Sequence, residues 1–371
     1  PVGCLAESWD VSEDGLTWTF NLREGVLWHD GEPFTSEDVK FTYDTMIEHE
    51  QGFMYNTYLA GITDIECPDE KTVVITTDAP KANMLMNTTP ILPKHIWGEI
   101  APEELGLYTN ESPVRTGPFK FDSRSPGVIK LVKNDSYFGT VPAIDECIFI
   151  SYANTDTMAQ ALSLGEIDAA FNLSAAQKSQ LEKNPNISFI SGQIPGFTQI
   201  SINLWDDPAS GGNPLLRDKA IRHAIEYSIN KTKIIDMIYG GEGEEGTTLL
   251  NPGQYYHYEP TADELRSYNP AKAEALLDAA GYLDTDGDGI REDANGNKLE
   301  FRLITIADNT DEVKVGQMIA SDCKAVGIGI KIETMDDGAL TDEIYAGTYD
   351  MFIWGWGGDL DPSVMLEILK T

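Results

Sequence analysis

The stretch DTDGDGIRED, residues 284–293, is spaced for cation binding. Asp284, Asp286 and Asp288 stand at the first, third and fifth positions of a calcium loop, where each carboxylate faces one hard cation, and Gly289 falls at the sixth, where such a loop turns sharply. The twelfth position, a bidentate glutamate in calcium sensors, is Asn295, and LEFRLITI beyond it reads as a strand. The helix–loop–helix of a sensor is therefore excluded. Two readings stay open: a polar loop whose Asp and Gly residues serve its turns, or one structural calcium held by Asp284, Asp286 and Asp288. No other cofactor is required.

The remaining motif-like strings fail on context. GEGEEG at 241–246 matches a dinucleotide fingerprint, but a helical pattern precedes it, TTLLNPG follows, and Glu242, Glu244 and Glu245 would repel phosphates. HEQGF at 49–53 lacks the second histidine of a zinc protease, and no GxxxxGK[ST] or GxSxG occurs. With 61 acidic residues, carboxylate pairs at glycosidase spacing arise by chance. Those 61 acids against 26 basic residues give a net charge of −35, which repels phosphate backbones and anionic membranes, so no nucleic-acid partner is expected. The four cysteines lie far apart with no CxxC pair, which disfavours a zinc cluster; buried thiols are preferred over disulfides. Trp205, Trp354 and Trp356 offer flat aromatic faces, with ordinary core packing as the alternative.

The elements that would position these residues alternate between strand and helix. TWTFNL has strand periodicity, TSEDVKFTYDTMI opens a helix on Thr35 or Ser36, and TDIEC and TVVITT form a hairpin about Pro-Asp. Four prolines between residues 90 and 113 mark an irregular connection. TGPFKF and GVIKLVKN read as strands leading to IDECIFISYA, an apolar run suited to a buried strand. TDTMAQALSLGEIDAAF reads as a helix and a short strand, and SFISG and FTQISINL as strands. LLRDKAIRHAIEYSINKTKIIDMIYGG reads as one long helical pattern, PAKAEALLDAAGY as a helix closed by Gly281. The order then runs strand, helix, strand, strand to YDMFIWGWGG. At 371 residues the expected fold is mixed α/β in at least two lobes.

Several of these segments together resemble one family. LAESWDVSEDGLTWTFNLREGVLWHDGEPFTSEDVKFTYD is similar to the signature segment of the family 5 extracellular solute-binding proteins, receptors of peptide- and nickel-type ABC importers. TGPFKF, MAQALSLGEIDAAF, PLLRDKAIRHAIEYSINKTKII, the NPAKAEALLDAAGY helix with its DTDGDGIRED insertion, and YDMFIWGWGGDLDP follow in the family's order. The resemblance implies a type II periplasmic-binding-protein fold: two α/β lobes hinged by crossing strands, with an extra domain on lobe I. Residues 1–115 would be that extra domain, 116–200 part of lobe I and 201–371 an incomplete lobe II. It also implies a non-enzymatic, monomeric receptor that closes on a peptide and delivers it to ABC permease subunits. Its expected place is the periplasm or the outer face of the cytoplasmic membrane, with a lipid anchor on a segment outside this chain. An acidic residue following the GW pair holds the peptide's α-ammonium in peptide-binding relatives, a role that would fall to Asp359. The candidate ligand-binding residues are Asp359, Trp356, Trp354, Asn203 and Trp205; Asp361, before Pro362, would shape the turn. An oligosaccharide-binding receptor, an exported sensory receptor on the same fold and an exported glycoside hydrolase are the alternatives. Nickel ranks last because the five histidines are scattered.

Overall fold

The computed structural model describes residues 2–49, 55–190, 192, 196–252, 254 and 256–357. Its contacts divide between Tyr152 and Ala153 into two compact units.

The first unit begins with β1 (Ala6–Val11), β2 (Thr17–Leu22), α1 (Ser36–Glu48), α2 (Asn56–Leu59), β3 (Ile62–Asp69), β4 (Thr72–Thr77) and α3 (Lys94–Trp97). Its antiparallel sheet has the order β1-β2-β4-β3. Val39, Tyr43 and Met46 recur at helical spacing on α1 and bury with Leu22, Trp28, Ile65, Val73 and Ile75. The β3–β4 turn falls at Glu70-Lys71, later than the Pro-Asp expectation. Pro68 is tolerated inside β3 because the register slips between Glu66 and Asp69, where no ladder donor is demanded of it. Asp38 in the first turn of α1 is buried and accepts from the Thr35 N–H at 2.9 Å, the Lys94 N–H at 2.9 Å and the Trp28 indole at 3.3 Å.

A second antiparallel sheet, β5 (Phe119–Ser125), β6 (Val128–Lys133) and β7 (Glu146–Ile150), has the order β5-β6-β7. The apolar run in β7 reads as a buried strand, yet Ile148 and Phe149 are 52% and 54% exposed. Among the described residues it is an edge strand, with only β6 bonded to it.

The second unit holds α4 (Thr155–Leu164), α5 (Ala175–Leu181), β8 (Gly196–Ile202), α6 (Lys219–Ser228), α7 (Lys231–Ile238), α8 (Pro270–Ala280), β9 (Glu300–Ile306), α9 (Thr310–Lys324), β10 (Gly329–Met335), α10 (Asp337–Ala346) and β11 (Met351–Gly357). The long helical pattern is broken in two. Ile229 is extended, and Asn230 caps α7 by accepting from the Lys233 N–H at 2.9 Å while its own N–H donates to Asp322 at 3.1 Å. IDAAF and the described part of SFISG form no strand, for no neighbouring strand takes up their backbone groups; Phe171 and Ile190 are exposed.

The sheet of this unit has the order β10-β9-β11-β8. β10, β9 and β11 are parallel, and β8 runs antiparallel to β11. One face, with Phe301, Leu303, Met351 and Ile353, packs on Ile221, Leu277 and Ile319 of α6, α8 and α9. The other, with Ile304 and Phe352, packs on Leu340 of α10. Among the described residues no helix is long and apolar enough to cross a membrane.

All four cysteines are free, and burial is the rule only for Cys323; Cys4 is exposed and Cys67 and Cys147 are half-buried. Burial pushes the Cys323 thiol up to about 12. In a maleimide time course on native protein at neutral pH, Cys4 should label first and Cys323 only after denaturant is added. Native labelling of Cys323 at the rate of Cys4 would contradict the packing of α9.

Candidate functional site

β9 feeds through α9 to β10 on one side of it, and β10 returns through α10 to β11 on the other. Helices therefore leave the sheet in opposite directions between β9 and β11, which makes this the switch point where open α/β sheets place a ligand crevice beyond the strands' carboxyl ends. The first N–H groups of α9 and α10 emerge at that edge, capped by Asn309, which accepts from Glu312 N–H at 3.1 Å, and by Asp336, which accepts from Ala339 N–H at 3.0 Å.

β11 continues past its neighbour. Only Met351 and Phe352 pair with β9, whereas every residue from Met351 to Gly357 pairs with β8. Ile353–Gly357 and Gly196–Ile200 thus form a two-stranded ribbon running out of the sheet. Asn251 donates to the carbonyl of Gly196 at 2.8 Å, fixing the far end of the ribbon.

Period-two alternation puts Phe352, Trp354 and Trp356 on one face of β11. Phe352 and Trp354 meet edge to face at 6.2 Å, and the Trp354 and Trp356 rings lie 6.3 Å apart at 55°. Trp354 also packs against the small core under α10, so the packing reading holds for part of its surface. Trp356 lies outside that cluster, and its indole Nε1 is buried with no hydrogen-bond partner among the described residues. A buried indole N–H favours an acceptor, and Trp18 Nε1 in the first unit is unpartnered among the described residues in the same way.

Asn203 and Trp205 sit at the other end of the strand pair. Asn203 is buried; its Nδ2 donates to the carbonyls of Gly347 at 3.0 Å and Tyr349 at 2.9 Å, and its Oδ1 accepts from the Trp205 N–H at 3.0 Å. These bonds make it a brace between the end of β8 and the start of β11. The half-exposed Trp205 ring lies over Gly347, where an added Cβ would come within 2.6 Å of it; the left-handed φ of +66° there favours glycine independently. The structure brings Trp354 and Trp356 together but leaves Trp205 at the opposite end of β11, on the order of 17 Å away at the usual rise per residue. Asp284, Asp286 and Asp288 form a separate group in the connection from α8 to β9. Asp359 and Asp361 lie outside the described residues.

Asp350 is the residue that motif reading missed. Buried at the foot of β11, it accepts from the Asn213 N–H and the Arg302 N–H, each at 2.8 Å, and Arg302 Nε lies 3.7 Å from the same carboxylate. Its own carbonyl accepts from the Asn203 N–H at 2.9 Å. The available signal was an acid set directly against an apolar strand, Y-D-M-F-I.

A doubly wound sheet with an antiparallel ribbon leaving it, in a chain that also carries a separate antiparallel unit, fits the type II periplasmic-binding-protein class. A model of the bacterial extracellular solute-binding proteins, family 5 (middle), matches residues 1–371, and the chain belongs to that family. It is 32% identical over 358 residues to a Brucella ovis protein described as an ABC transporter peptide-binding protein, covering 95% of this chain and 64% of that one. The chain therefore spans less than two thirds of that relative's length. The solved structure of Bacillus subtilis AppA in complex with a nonapeptide is similar with a TM-score of 0.83 and 26% identity, over 97% of this chain and 71% of AppA. Campylobacter jejuni NikZ in complex with Ni(L-His) is similar with a TM-score of 0.85 and 25% identity, over 97% of this chain and 70% of NikZ.

Asp350→Ala should strip the acceptor from two backbone N–H groups at the foot of the ribbon. Each buried unsatisfied donor costs about 1–3 kcal/mol, so a loss of roughly 3 kcal/mol is expected in chemical denaturation followed by tryptophan fluorescence. Asp350→Asn, which keeps one acceptor oxygen, should lose less. A loss under about 1 kcal/mol for the alanine variant would mean that Asp350 does not secure the ribbon.

Proposed function

We propose that the chain is the larger part of the substrate-binding receptor of an ABC importer, which captures oligopeptides or dipeptides and hands them to permease subunits. The observation that carries this reading is the β8–β11 ribbon at the switch point, with Trp354 and the unpartnered Trp356 N–H on one face. Two strands crossing out of a sheet bend together without breaking their ladder, so they suit a hinge between an open and a closed state. The likeness to the AppA–nonapeptide structure supports peptide as the ligand. Nickel is less favoured: the acidic loop is the one metal-type cluster of His, Cys, Asp or Glu among the described residues, and it contains no histidine.

Reversible capture needs no reacting group. A ligand closes the protein only to the extent that it binds the closed state better, and backbone hydrogen bonds with capture of the termini would leave peptide side chains in hydrated pockets. This reading takes the protein as a monomer acting in the periplasm or on the outer face of the cytoplasmic membrane, anchored through a segment outside this chain. Asp359 would hold the peptide's α-ammonium, with Trp354 and Trp356 flanking it and Asp361 shaping the turn before Pro362.

Small-angle scattering of the mature full-length protein should show compaction on adding a peptide pool, and mass spectrometry should recover that pool intact. Steady hydrolysis of peptide or oligosaccharide by pure protein would replace the receptor with an enzyme, and compaction by oligosaccharide alone would favour the sugar reading.

The anchor has its own test. An exposed ion pair contributes about 0–1 kcal/mol, whereas stripping one partner from a buried pair costs roughly 3–5 kcal/mol. Asp359→Ala should therefore weaken a free-amine peptide by roughly a hundredfold or more in calorimetry. N-acetylation of the peptide should do the same to the wild type, and the two losses should not add. Binding within about threefold of wild type would remove the ammonium-anchor role.

A further inference from the structure

In the connection from α8 to β9, one carboxylate oxygen from each of Asp284, Asp286, Asp288 and Glu292 lies within 4.8 Å of the others. Part of this arrangement is loop shape. Asp284 accepts from the N–H groups of Gly287 at 2.8 Å and Gly289 at 3.0 Å, Asp286 from Asp288 at 3.1 Å, and Asp288 from Ile290 at 2.9 Å. Those bonds would exist in a plain polar loop.

Glu292 is different. It is 3% exposed, and its Oε2 accepts from both the N–H and the hydroxyl of Thr285 at 2.8 Å. Its Oε1 is buried with no hydrogen-bond partner among the described residues. A buried carboxylate oxygen without a donor is strongly disfavoured, and a hard cation satisfies it directly. Among the described residues Lys298 is the cation paired with this group: its ammonium meets Asp286 Oδ2, at 2.9 Å, and Asp288 Oδ2. It answers neither Asp284 nor Glu292, so one positive charge faces four carboxylates.

We propose that Asp284, Asp286, Asp288 and Glu292 bind one calcium ion. Counted from Asp284, the glutamate stands at the ninth loop position, and it supplies the anionic anchor that Asn295 at the twelfth cannot. The seventh position, where calcium loops use a backbone carbonyl, falls on Ile290. Four carboxylates on a compliant loop suit calcium, which accepts six to eight oxygens, better than magnesium, which demands near-octahedral geometry.

The ion would be structural. Glu292 bridges Leu283 on one side and Lys298 on the other. Next to it, the Arg291 N–H donates to the Gly327 carbonyl at 2.9 Å, and its guanidinium to the carbonyls of Val326 at 3.0 Å and Tyr282 at 2.8 Å. A metal closing the loop would clamp the end of α8 to the starts of β9 and β10.

Calorimetric titration of the mature full-length protein, stripped with EGTA, should show one saturable calcium site, and calcium should raise the Tm. Magnesium should bind at least about tenfold more weakly. Glu292→Gln and Asp284→Asn should each weaken calcium at least about tenfold. Asp284→Asn loses one of the two oxygens that accept from Gly287 and Gly289, so its Tm in EGTA should fall slightly, and calcium should raise it far less than it raises the wild type. Lys298→Gln should lower the Tm in EGTA and regain it in calcium, because the metal takes over the ammonium's role. Absence of both heat and Tm change in wild type and Lys298→Gln at millimolar calcium would overturn the site. Wild-type calcium affinity in both Asp284→Asn and Glu292→Gln would overturn it equally.

Discussion

Asp350, through its carboxylate and its backbone carbonyl, is the fixed point of the second unit. Three chain segments meet on it: the approach to α6 through the Asn213 N–H, β9 through the Arg302 N–H, and β8 through the Asn203 N–H to its carbonyl. Asn203 ties the same place from the other side through Gly347 and Tyr349. Both residues are buried, so neither can exchange these bonds for water without opening the sheet. Fixing the foot of β11 fixes which of its residues point to which face, since a one-residue slip would exchange Ile353 for Trp354.

From that foot the strand changes character along its length. Met351 and Ile353 are buried in the main core and Phe352 in the smaller one, all where β11 is still part of the sheet. Beyond Phe352 it keeps only β8 as a partner, and Gly355 and Gly357 replace the apolar side chains on the main-core face. Trp354 is the transition, half in the core, and Trp356 is past it, with its N–H unanswered among the described residues. A packed base and a two-stranded outlet fit the proposed receptor reading, in which bending would be confined to the ribbon while the core keeps its packing.

Much of this was legible in the sequence where periodicity and caps agree. LEFRLITI, DEVKVGQMIASDCKAVGI and YDMFIWGWGG give β9, α9 and β11 because each has one unambiguous period. The readings that failed share a cause. IDAAF and SFISG have strand composition, but a strand exists only with a partner, and partner choice is not written locally. The helical pattern over 215–241 runs too long because its apolar period continues through Ile229, while the side chains of Asp218 and Asn230 start separate helices. At the site, the tryptophans were visible by type. Asn203 reads by type as a ligand contact, whereas its side chain turns to backbone carbonyls, and a brace such as Asp350 leaves no motif.

The buried acids of this very acidic chain follow one rule with one departure. Among the described residues, Asp38, Glu292, Glu312 and Asp350 are the buried carboxylates. Asp38 receives Thr35, Lys94 and Trp28; Glu312 receives the Ile306 N–H at 2.7 Å and Asn309 at 3.3 Å; Asp350 receives Asn213 and Arg302. In each, both oxygens are engaged, and the carboxylate ties its own element to another segment of the chain. Burial nonetheless pushes the Glu312 carboxyl above its ordinary range, against the lowering effect of the Ile306 N–H. Glu292 has donors on one oxygen alone. The other buried acids among the described residues meet N–H donors on both oxygens, and this difference is what the proposed calcium site rests on.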